Sequence, residues 1–270
     1  MILKEAIAYL SDAGIDSADY DARELFRSFG GFDRHELILA NTESNSRELL
    51  EAIERRHAHE PLQYILGSCG FYREVYEVTP DCLIPRYDTE ILVDYAVRSI
   101  PDGENLADVC CGSGCIGISV LKNSGAASCL SIDISEGAIE LTRRNAEKNS
   151  VSDRLTTLND DVLRDGFALG EKFYAILSNP PYIPKSVYEG LEDEIFHEPR
   201  LAFVGGDDGE TFYKVLTPIF LDALKDGGFI AFEIGYDQAE LLRGLADKYG
   251  VTCEIIKDYS QNDRVAVLKK

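Results

Sequence analysis

Residues 105–121 read NLADVCCGSGCIGISVL. The first five residues form a short apolar run typical of a buried strand, and the apolar residues from position 116 onward are typical of a helix. Between them, Gly112 and Gly114 let the backbone approach a ligand closely, and the helix start offers unpaired N–H groups. A strand, a glycine turn and a helix in this order indicate a site for a nucleotide-containing cofactor.

A carboxylate follows at the spacing expected for such a site. The run Ser128–Asp133 reads as a second strand and ends 21 residues after Gly112. An acid at this strand end can accept both hydroxyls of a ribose. A glycine turn alone is more often only a turn, and Asp133 alone is more often a helix cap, but their order and spacing favour a ligand site.

A second motif, Asn179-Pro180-Pro181-Tyr182, ends the apolar run Phe173–Ser178. Proline fixes its own φ angle and pushes the preceding residue toward an extended conformation. Asn179 and Pro180 can therefore offer oxygen atoms as fixed acceptors to a planar NH2 group, while Tyr182 lies against its face. A tight structural loop is the simpler interpretation, but the motif suits a nitrogen held for attack on an electrophile.

The cofactor could be a dinucleotide or S-adenosylmethionine. Gly112, Gly114 and Gly117 formally match the dinucleotide fingerprint. That fingerprint should begin directly at the strand end, however, and two cysteines intervene here. Asp108, followed two, four and six residues on by small residues, is the S-adenosylmethionine pattern. An electrophilic methyl group also gives the Asn-Pro-Pro-Tyr motif a role, so S-adenosylmethionine is favoured.

Together these motifs resemble the class I methyltransferases that modify planar nitrogens, and more narrowly the HemK/PrmC-type glutamine methyltransferases of peptide release factors. Further segments carry the resemblance: Pro61–Gly67 with Gly70 and Phe71, Leu83–Glu90, Glu198–Pro199, Leu201 with Ala202, Gly205–Gly209, Glu233–Gly235 and Gln238. The Asn-Pro-Pro-Tyr motif alone is shared with DNA adenine methyltransferases. The segment around Arg86 and the N-terminal extension make the set specific.

The resemblance implies S-adenosylmethionine as methyl donor, S-adenosylhomocysteine as product, and the glutamine of the Gly-Gly-Gln loop of peptide chain release factors as substrate. We predict a catalytic set of Asn179, Pro180, Pro181 and Tyr182. Cofactor contacts are predicted for Asp108, Cys110, Cys111, Gly112, Ser113, Gly114, Asp133, Asp161, Val162 and Asn179. Substrate contacts are predicted for Phe71, Arg86, Asn179, Pro180, Pro181 and Tyr182.

Three positions depart from the family's pattern. Cys110 stands at the first glycine of the cofactor loop, where a positive φ angle would carry a cost that glycine avoids. Tyr87 stands where the family often has proline. Val162 follows Asp161 where some relatives place an aromatic residue against adenine, which would weaken stacking.

The chain of 270 residues is long enough for a small and a medium domain. Residues 1–70 carry apolar positions at helical spacing and predict a helical domain, and the resemblance implies that this domain binds the protein substrate. Residues 71–84 switch toward a period of two and predict a β-hairpin linker. Residues 85–270 alternate helical and strand patterns, which predicts an α/β domain with a mostly parallel sheet, and the resemblance implies that it is a Rossmann-like methyltransferase domain.

The predicted strands place the site at one edge of this sheet. Besides those ending at Val109 and Asp133, they are Leu155–Leu158, Tyr174–Ser178, Phe229–Ile234, Thr252–Ile256 and Val265–Leu268. The resemblance implies seven strands with the last antiparallel. Ligands of such sheets bind outside the carboxyl ends of the strands. We therefore expect Cys110, Asp133, Asp161 and Asn179 to converge.

Composition limits the partners. The formal net charge of −21 argues against direct binding of duplex DNA, because such binders use Lys and Arg to neutralise phosphates. A local basic patch at Arg55-Arg56 or Arg143-Arg144 stays open, although such pairs are more often solvated helix faces. An acidic surface would suit a release factor with a basic docking surface.

The remaining composition points to an ordinary intracellular setting. Seven cysteines without paired C-x-x-C spacing fit a reducing compartment, and with four scattered histidines they predict no metal. Neither a signal peptide nor an apolar run of membrane-spanning length is evident. We expect a cytoplasmic monomer that does not bind membranes.

An amide nitrogen is a poor nucleophile, and no His or Lys marks a general base near the motif. Positioning must therefore carry most of the catalysis. The clamp chemistry does not identify glutamine by itself, since another protein glutamine or the N6 amine of adenine would fit it. A non-catalytic binding module with this fold is the third alternative, and Cys110 is the one hint of it.

Overall fold

The structure is a computed structural model that describes the backbone of residues 1–270 and every side chain except that of Asp193. The chain forms two compact units, Met1–Ser68 with Glu192–His197, and Cys69–Leu191 with Glu198–Lys270. The sequence assigned residues 192–197 to the C-terminal domain. They belong with the helical unit, where Glu194 pairs with Arg56 at 2.9 Å.

The first unit is helical. Its helices are α1 (Leu3–Asp12), α2 (Ala18–Phe29), α3 (Arg47–His57) and α4 (Leu62–Leu66). One apolar face of each packs inward, so that Leu10, Phe26 and Ile53 are fully buried. Ser46 caps α3 by accepting a hydrogen bond from the Leu49 N–H, and Gly67 ends α4 in the left-handed conformation.

A two-stranded hairpin follows, as the change of period predicted. It consists of β1 (Ser68–Phe71) and β2 (Glu74–Glu77). Tyr72 turns the chain with a φ of 55°, and its N–H donates to Glu90 at 2.7 Å. That bond ties the hairpin to the helix that begins at Glu90.

The second unit contains a seven-stranded sheet. The strands are β3 (Asn105–Val109), β4 (Ser128–Asp133), β5 (Leu155–Asn159), β6 (Phe173–Ser178), β7 (Leu224–Glu233), β8 (Thr252–Lys257) and β9 (Asp263–Lys269). Their order is β5-β4-β3-β6-β7-β9-β8, and β9 is antiparallel to both of its neighbours. The β3, β4, β5, β6 and β7 pairings are parallel. The predicted sheet, including its reversed last strand, is confirmed.

One strand begins earlier than the sequence indicated. The prediction started it at Phe229, whereas β7 begins at Leu224, which pairs with Phe173. The register shifts before the next pair, Ala175 with Phe229. Gly227 and Gly228 occupy this irregularity, and glycines are ordinarily a signal that a strand has ended.

Helices cover both faces of the sheet. The helices of this unit are α5 (Glu90–Ser99), α6 (Cys115–Asn123), α7 (Glu136–Lys148), α8 (Lys185–Tyr188), α9 (Thr211–Ala223) and α10 (Ala239–Tyr249), with 3₁₀ turns at Tyr87–Thr89 and Arg200–Ala202. A third 3₁₀ turn, Asp193–His197, belongs to the first unit. Alternation along β3 directs Leu106 toward the α5 and α6 side and Ala107 toward the α9 and α10 side. In the part of the chain described, no helix combines the length and apolarity needed to cross a membrane.

Candidate active site

The carboxyl ends of the parallel strands surround a cavity of about 480 Å³ within the second unit. Segments that follow β3, β4, β5 and β6 form its wall, because parallel strands bring these ends to one edge of the sheet. Predicted site residues on this wall are Arg86, Cys110, Cys111, Gly112, Ser113, Asp133, Asp161, Val162, Asn179 and Pro181. The other predicted site residues are not among the lining residues of this cavity.

The turn after β3 is built on left-handed backbone. Gly112 has a φ of 54° and donates its N–H to Asp133 Oδ2 at 2.9 Å. Gly114 has a φ of 77°, and a Cβ there would lie 2.8 Å from the Thr142 side chain. Gly112 thus shapes the cavity wall, whereas Gly114 allows α6 to pack closely against α7.

Cys110 also adopts left-handed backbone, with a φ of 62°. The sequence indicated that this conformation would be costly here, and the chain adopts it nonetheless, at about 1–2 kcal/mol for a residue with a Cβ. Burial raises the pKa of the Cys110 thiol far above its usual range, and it does the same for Cys111. Both thiols are therefore neutral parts of the wall.

Asp108 lies beneath the turn and is fully buried. Its Oδ2 accepts the Gly117 N–H at 2.9 Å, and Oδ1 has no hydrogen-bond partner among the described residues. Burial raises the pKa of Asp108 to about 7, while the Gly117 bond opposes this rise and the Asp133 carboxylate adds to it. In this position Asp108 ties β3 to α6.

Asp133 ends β4 on the cavity wall. Its Oδ1 accepts the Ser135 N–H and its Oδ2 accepts the Gly112 N–H, each at 2.9 Å. Burial raises the pKa of this carboxyl, and hydrogen bonds from the Ser135, Gly112 and Ile134 N–H groups oppose this rise. Each oxygen keeps a second lone pair, which is what a diol needs from a single carboxylate.

The segment after β5 supplies the adjoining wall. Asp161 accepts the Leu163 N–H on Oδ1 at 2.8 Å, which closes the turn. Val162 is 5% exposed and presents an apolar surface to the cavity. A branched aliphatic side chain gives a flat ring a contact surface without the stacking that an aromatic residue would add.

Asn179 reaches the cavity from the end of β6. Its Nδ2 donates to Thr89 Oγ1 at 3.3 Å, and the Thr89 hydroxyl donates to Glu233 Oε2 at 2.5 Å. The Tyr182 hydroxyl donates to Glu233 Oε1 at 3.3 Å. Burial raises the pKa of Glu233 to about 7 against the lowering effects of the Thr89 hydrogen bond and the Arg264 guanidinium.

Pro180 is buried and Tyr182 is half-buried, and they hold the loop rather than line the cavity. Burial raises the pKa of the Tyr182 phenol, with a further rise from Glu233. The phenol therefore stays protonated near neutral pH and acts as a donor. Pro181 is the proline of this loop that contacts the cavity.

A glycine loop packs directly against the Asn-Pro-Pro-Tyr backbone. A Cβ at Gly205 would lie 2.4 Å from the Pro181 carbonyl oxygen, and one at Gly209 would lie 2.4 Å from that of Tyr182. Gln238 Nε2 donates to the carbonyl oxygens of Tyr182 and Gly209 at 3.1 Å each. The Gly-Gly-x-x-Gly pattern is thus explained by close backbone packing.

Arg86 lines the cavity and forms an ion pair with Glu198, whose side chain is 2% exposed. Glu198 also accepts the Ile84 N–H at 2.8 Å. This carboxylate joins the segment before α5 to the segment that carries Pro199. Both segments form part of the cavity wall.

Phe71 lies elsewhere. Its side chain is 2% exposed and contacts Tyr76 edge-on in the core, with ring centroids 6.0 Å apart. The sequence predicted a substrate contact for Phe71, and its burial in the core excludes such a contact in this structure. Alternation in β1 turns this ring inward, a fact that the motif alone could not reveal.

Two buried residues that support Asn179, Thr89 and Glu233, carry no sequence signal that connects them to it. From the sequence, Thr89 is either a helix-start residue, where threonine is ordinary, or a residue over the cofactor or against the substrate loop. Glu233 was noted only as part of a matching segment. A signal for Glu233 existed, since a carboxylate at the end of an apolar strand must find partners when buried.

The fold and the cavity define a Rossmann-like methyltransferase. Residues 87–202 match the methyltransferase small domain family and residues 1–67 match the PrmC N-terminal domain family. A solved methyltransferase from Pyrococcus furiosus shares the fold, with a TM-score of 0.52 and 22% identity over 72% of this chain and 87% of that one. A ribosomal protein L11 methylase from Lactobacillus delbrueckii aligns with a TM-score of 0.50 and 19% identity, over 72% and 83% of the two chains.

Curated relatives narrow the class to one family. The release factor glutamine methyltransferase of Caulobacter vibrioides is 38% identical, over 96% of this chain and 91% of its own. That of Geobacter sulfurreducens is 36% identical, over 95% and 91%. That of Clostridium botulinum is 36% identical over the full length of both. The chain belongs to the release factor glutamine methyltransferase family.

Proposed function

We propose that the protein transfers a methyl group from S-adenosylmethionine to the side-chain amide nitrogen of the glutamine in the Gly-Gly-Gln loop of peptide chain release factors, giving N5-methylglutamine. Its family membership and the position of Asn179 on the cavity wall support this proposal. The observation that carries the chemistry is the hydrogen bond that Asn179 Nδ2 donates to Thr89 Oγ1 at 3.3 Å. This hydrogen bond leaves Asn179 Oδ1 to accept an N–H from a bound amide.

The cavity fits the proposed cofactor. Its volume of about 480 Å³ lies in the range of small-molecule sites. The free lone pairs of Asp133 suit the two ribose hydroxyls, the backbone around Gly112 allows close approach, and Val162 offers an apolar contact for the adenine. When bound, S-adenosylmethionine supplies an electrophilic methyl group on a sulfonium sulfur.

The protein's contribution is to position the substrate nitrogen. We infer that Asn179 Oδ1 and the Pro180 carbonyl oxygen accept the two N–H bonds of the glutamine amide. Both hydrogen bonds become stronger as the nitrogen gains positive charge. They therefore stabilise the transition state more than the ground state. Pro181 and Tyr182 hold the loop in place, which keeps the two oxygens in a fixed geometry.

Protein partners follow from the same proposal. The release factor is the proposed macromolecular partner, and the net charge of −21 disfavours duplex DNA as a competitor. Arg86 lies on the cavity wall with 41% of its side chain exposed, which supports its proposed contact with a substrate loop. A substrate of the translation machinery places the reaction in the cytoplasm.

The test is methyl transfer from labelled S-adenosylmethionine to a purified release factor. The same factor with Gln→Ala in its Gly-Gly-Gln loop and a double-stranded DNA serve as parallel acceptors. Label that enters only the intact factor supports the proposal. Label in both protein forms would show that a different residue of the factor is methylated, and label in DNA would favour the adenine alternative.

A variant of the clamp tests the mechanism. Asn179→Ala should lower kcat by about 10²–10³-fold, as expected when one preorganised polar group is removed. Cofactor affinity measured by calorimetry should fall far less than kcat, because Asn179 is one of several predicted cofactor contacts. Asn123→Ala is the matched control, since Asn123 donates to Glu74 at 3.0 Å and does not line the cavity. Equal activity of the two variants would contradict the role of Asn179.

A further inference from the structure

A hydrogen-bond chain runs from Asn179 into the core of the second unit. Asn179 Nδ2 donates to Thr89 Oγ1 at 3.3 Å, and Thr89 donates to Glu233 Oε2 at 2.5 Å. Thr89 and Glu233 are each 2% exposed. Thr89 is part of the cavity wall, whereas Glu233 is not among the lining residues, so the bond between them links Asn179 to a buried carboxyl group.

The direction of this chain decides which end of the Asn179 amide meets the substrate. An ionised carboxylate can only accept hydrogen bonds, so Glu233 forces the Thr89 hydroxyl to donate to it. The Thr89 oxygen is then left with acceptor capacity alone. It can bind the NH2 of Asn179 but not its oxygen, and among the described residues none donates to Asn179 Oδ1.

We propose that Thr89 and Glu233 are positioning residues that fix the polarity of the Asn179 amide, so that its oxygen and not its NH2 group meets the substrate nitrogen. This inference rests on the proposed function. A flipped amide would present N–H groups to the N–H groups of the glutamine. Such an arrangement would repel the substrate nitrogen instead of holding it.

Protonation of Glu233 would remove the constraint. A neutral carboxyl can donate its own proton to Thr89, which frees the Thr89 hydroxyl to donate to Asn179 Oδ1 and so stabilises the flipped amide. The groups that face Glu233 are Thr89 and Asp88 before α5, Tyr182 after β6, Tyr213 on α9, and Arg264 on β9 with its partner Asp258. Burial raises the pKa of Glu233 to about 7. Ionised Glu233, and with it the productive amide, is therefore favoured as the pH rises through neutrality.

Three variants separate positioning from packing. Thr89→Val keeps the shape of the side chain but removes the hydroxyl, and kcat should fall roughly tenfold, the effect of one hydrogen bond. Thr89→Ser restores the hydroxyl and should recover most of the activity. Thr217→Val is the matched control, because Thr217 is also fully buried and donates to the Tyr213 carbonyl at 2.6 Å outside this chain of bonds. It should keep the wild-type kcat.

The pH profile is the second readout. Wild-type kcat should rise as Glu233 ionises near pH 7, and Glu233→Gln should have a lower kcat without this rise. A wild-type rate in Thr89→Val, or an unchanged pH profile in Glu233→Gln, would overturn the inference while leaving the methyl transfer itself established.

A measurement without substrate keeps the inference testable if the release factor is not the acceptor. The side-chain NH2 resonances of Asn179, assigned by comparison with Asn179→Ala, should titrate with a midpoint near pH 7 in the wild type. They should not titrate in Glu233→Gln. Resonances that are insensitive to pH in the wild type would refute the coupling, whereas absent methyl transfer with an intact titration would refute only the proposed function.

Discussion

The buried carboxyl group of Asp108 makes the stability of the second unit depend on pH. Its pKa of about 7 lies roughly three units above the ordinary value of 3.8. At about 1.36 kcal/mol per pKa unit, the difference is worth about 4 kcal/mol. Because the pKa is raised in the folded state, this stabilising contribution is fully present below pH 3.8 and is lost as the pH rises through 7.

Asp108→Asn should remove this dependence. The asparagine oxygen can still accept the Gly117 N–H, which Asp108 now does at 2.9 Å, and the NH2 group replaces an oxygen that has no partner. Near pH 4 the variant and the wild type both carry a neutral side chain here. Near pH 8 the wild type must keep a buried charge, so the variant should gain up to about 4 kcal/mol relative to it.

The assay is urea denaturation of both proteins at several pH values between about 4 and 8. The quantity compared is the difference between the two free energies of unfolding at each pH. Glu233 titrates in the same range, but it is present in both proteins and cancels in this difference. A difference that stays constant across the range would refute the reasoning that Asp108 is charged at a cost in the folded protein.

Three further predictions concern backbone, packing and charge. Gly209→Ala should lower the rate of methyl transfer about tenfold or more, because a Cβ would lie 2.4 Å from the Tyr182 carbonyl oxygen. Steady-state kinetics would show this loss of rate, while the affinity for the cofactor stays unchanged. Arg56→Ala should cost about 3–5 kcal/mol by leaving buried Asp21 without the partner it has at 2.7 Å, and a thermal melt with no loss would contradict this. Cys110→Gly should be about 1 kcal/mol more stable than Cys110→Ala, since glycine adopts a φ of 62° freely; equal denaturation midpoints would show that the backbone there is unstrained.

Much of the fold could be predicted from the sequence because its signals are local. Strand runs such as Phe173–Ser178 are apolar over their whole length, and a parallel sheet then follows from their alternation with helices. The start of β7 could not be predicted, because Gly227 and Gly228 resemble a turn. Only the pairing with β6 shows that the strand continues through the irregularity.

The site was predictable where a motif lies at a strand end. Asp133 and Asn179 follow this rule and reach the same cavity. The roles of the other site residues depend on burial and side-chain direction, which are set by packing between segments that are distant in sequence. For that reason Phe71 is in the core, and the bond from Thr89 to Glu233, which joins residues 144 positions apart, has no sequence pattern to announce it.

The order of the strands divides the site along the chain. Residues 105–162 provide most of the wall proposed for the methyl donor, and residues 179–238 provide the loop proposed to hold the acceptor, with its glycine and glutamine supports. The two stretches meet in the sheet, where β3 of the first stretch pairs with β6, the strand that leads into the second. Exchange of the chain beyond residue 170 would therefore replace this loop and its glycine and glutamine supports together, but not Thr89 and Arg86, which contact residues 179–238 from the first half of the chain.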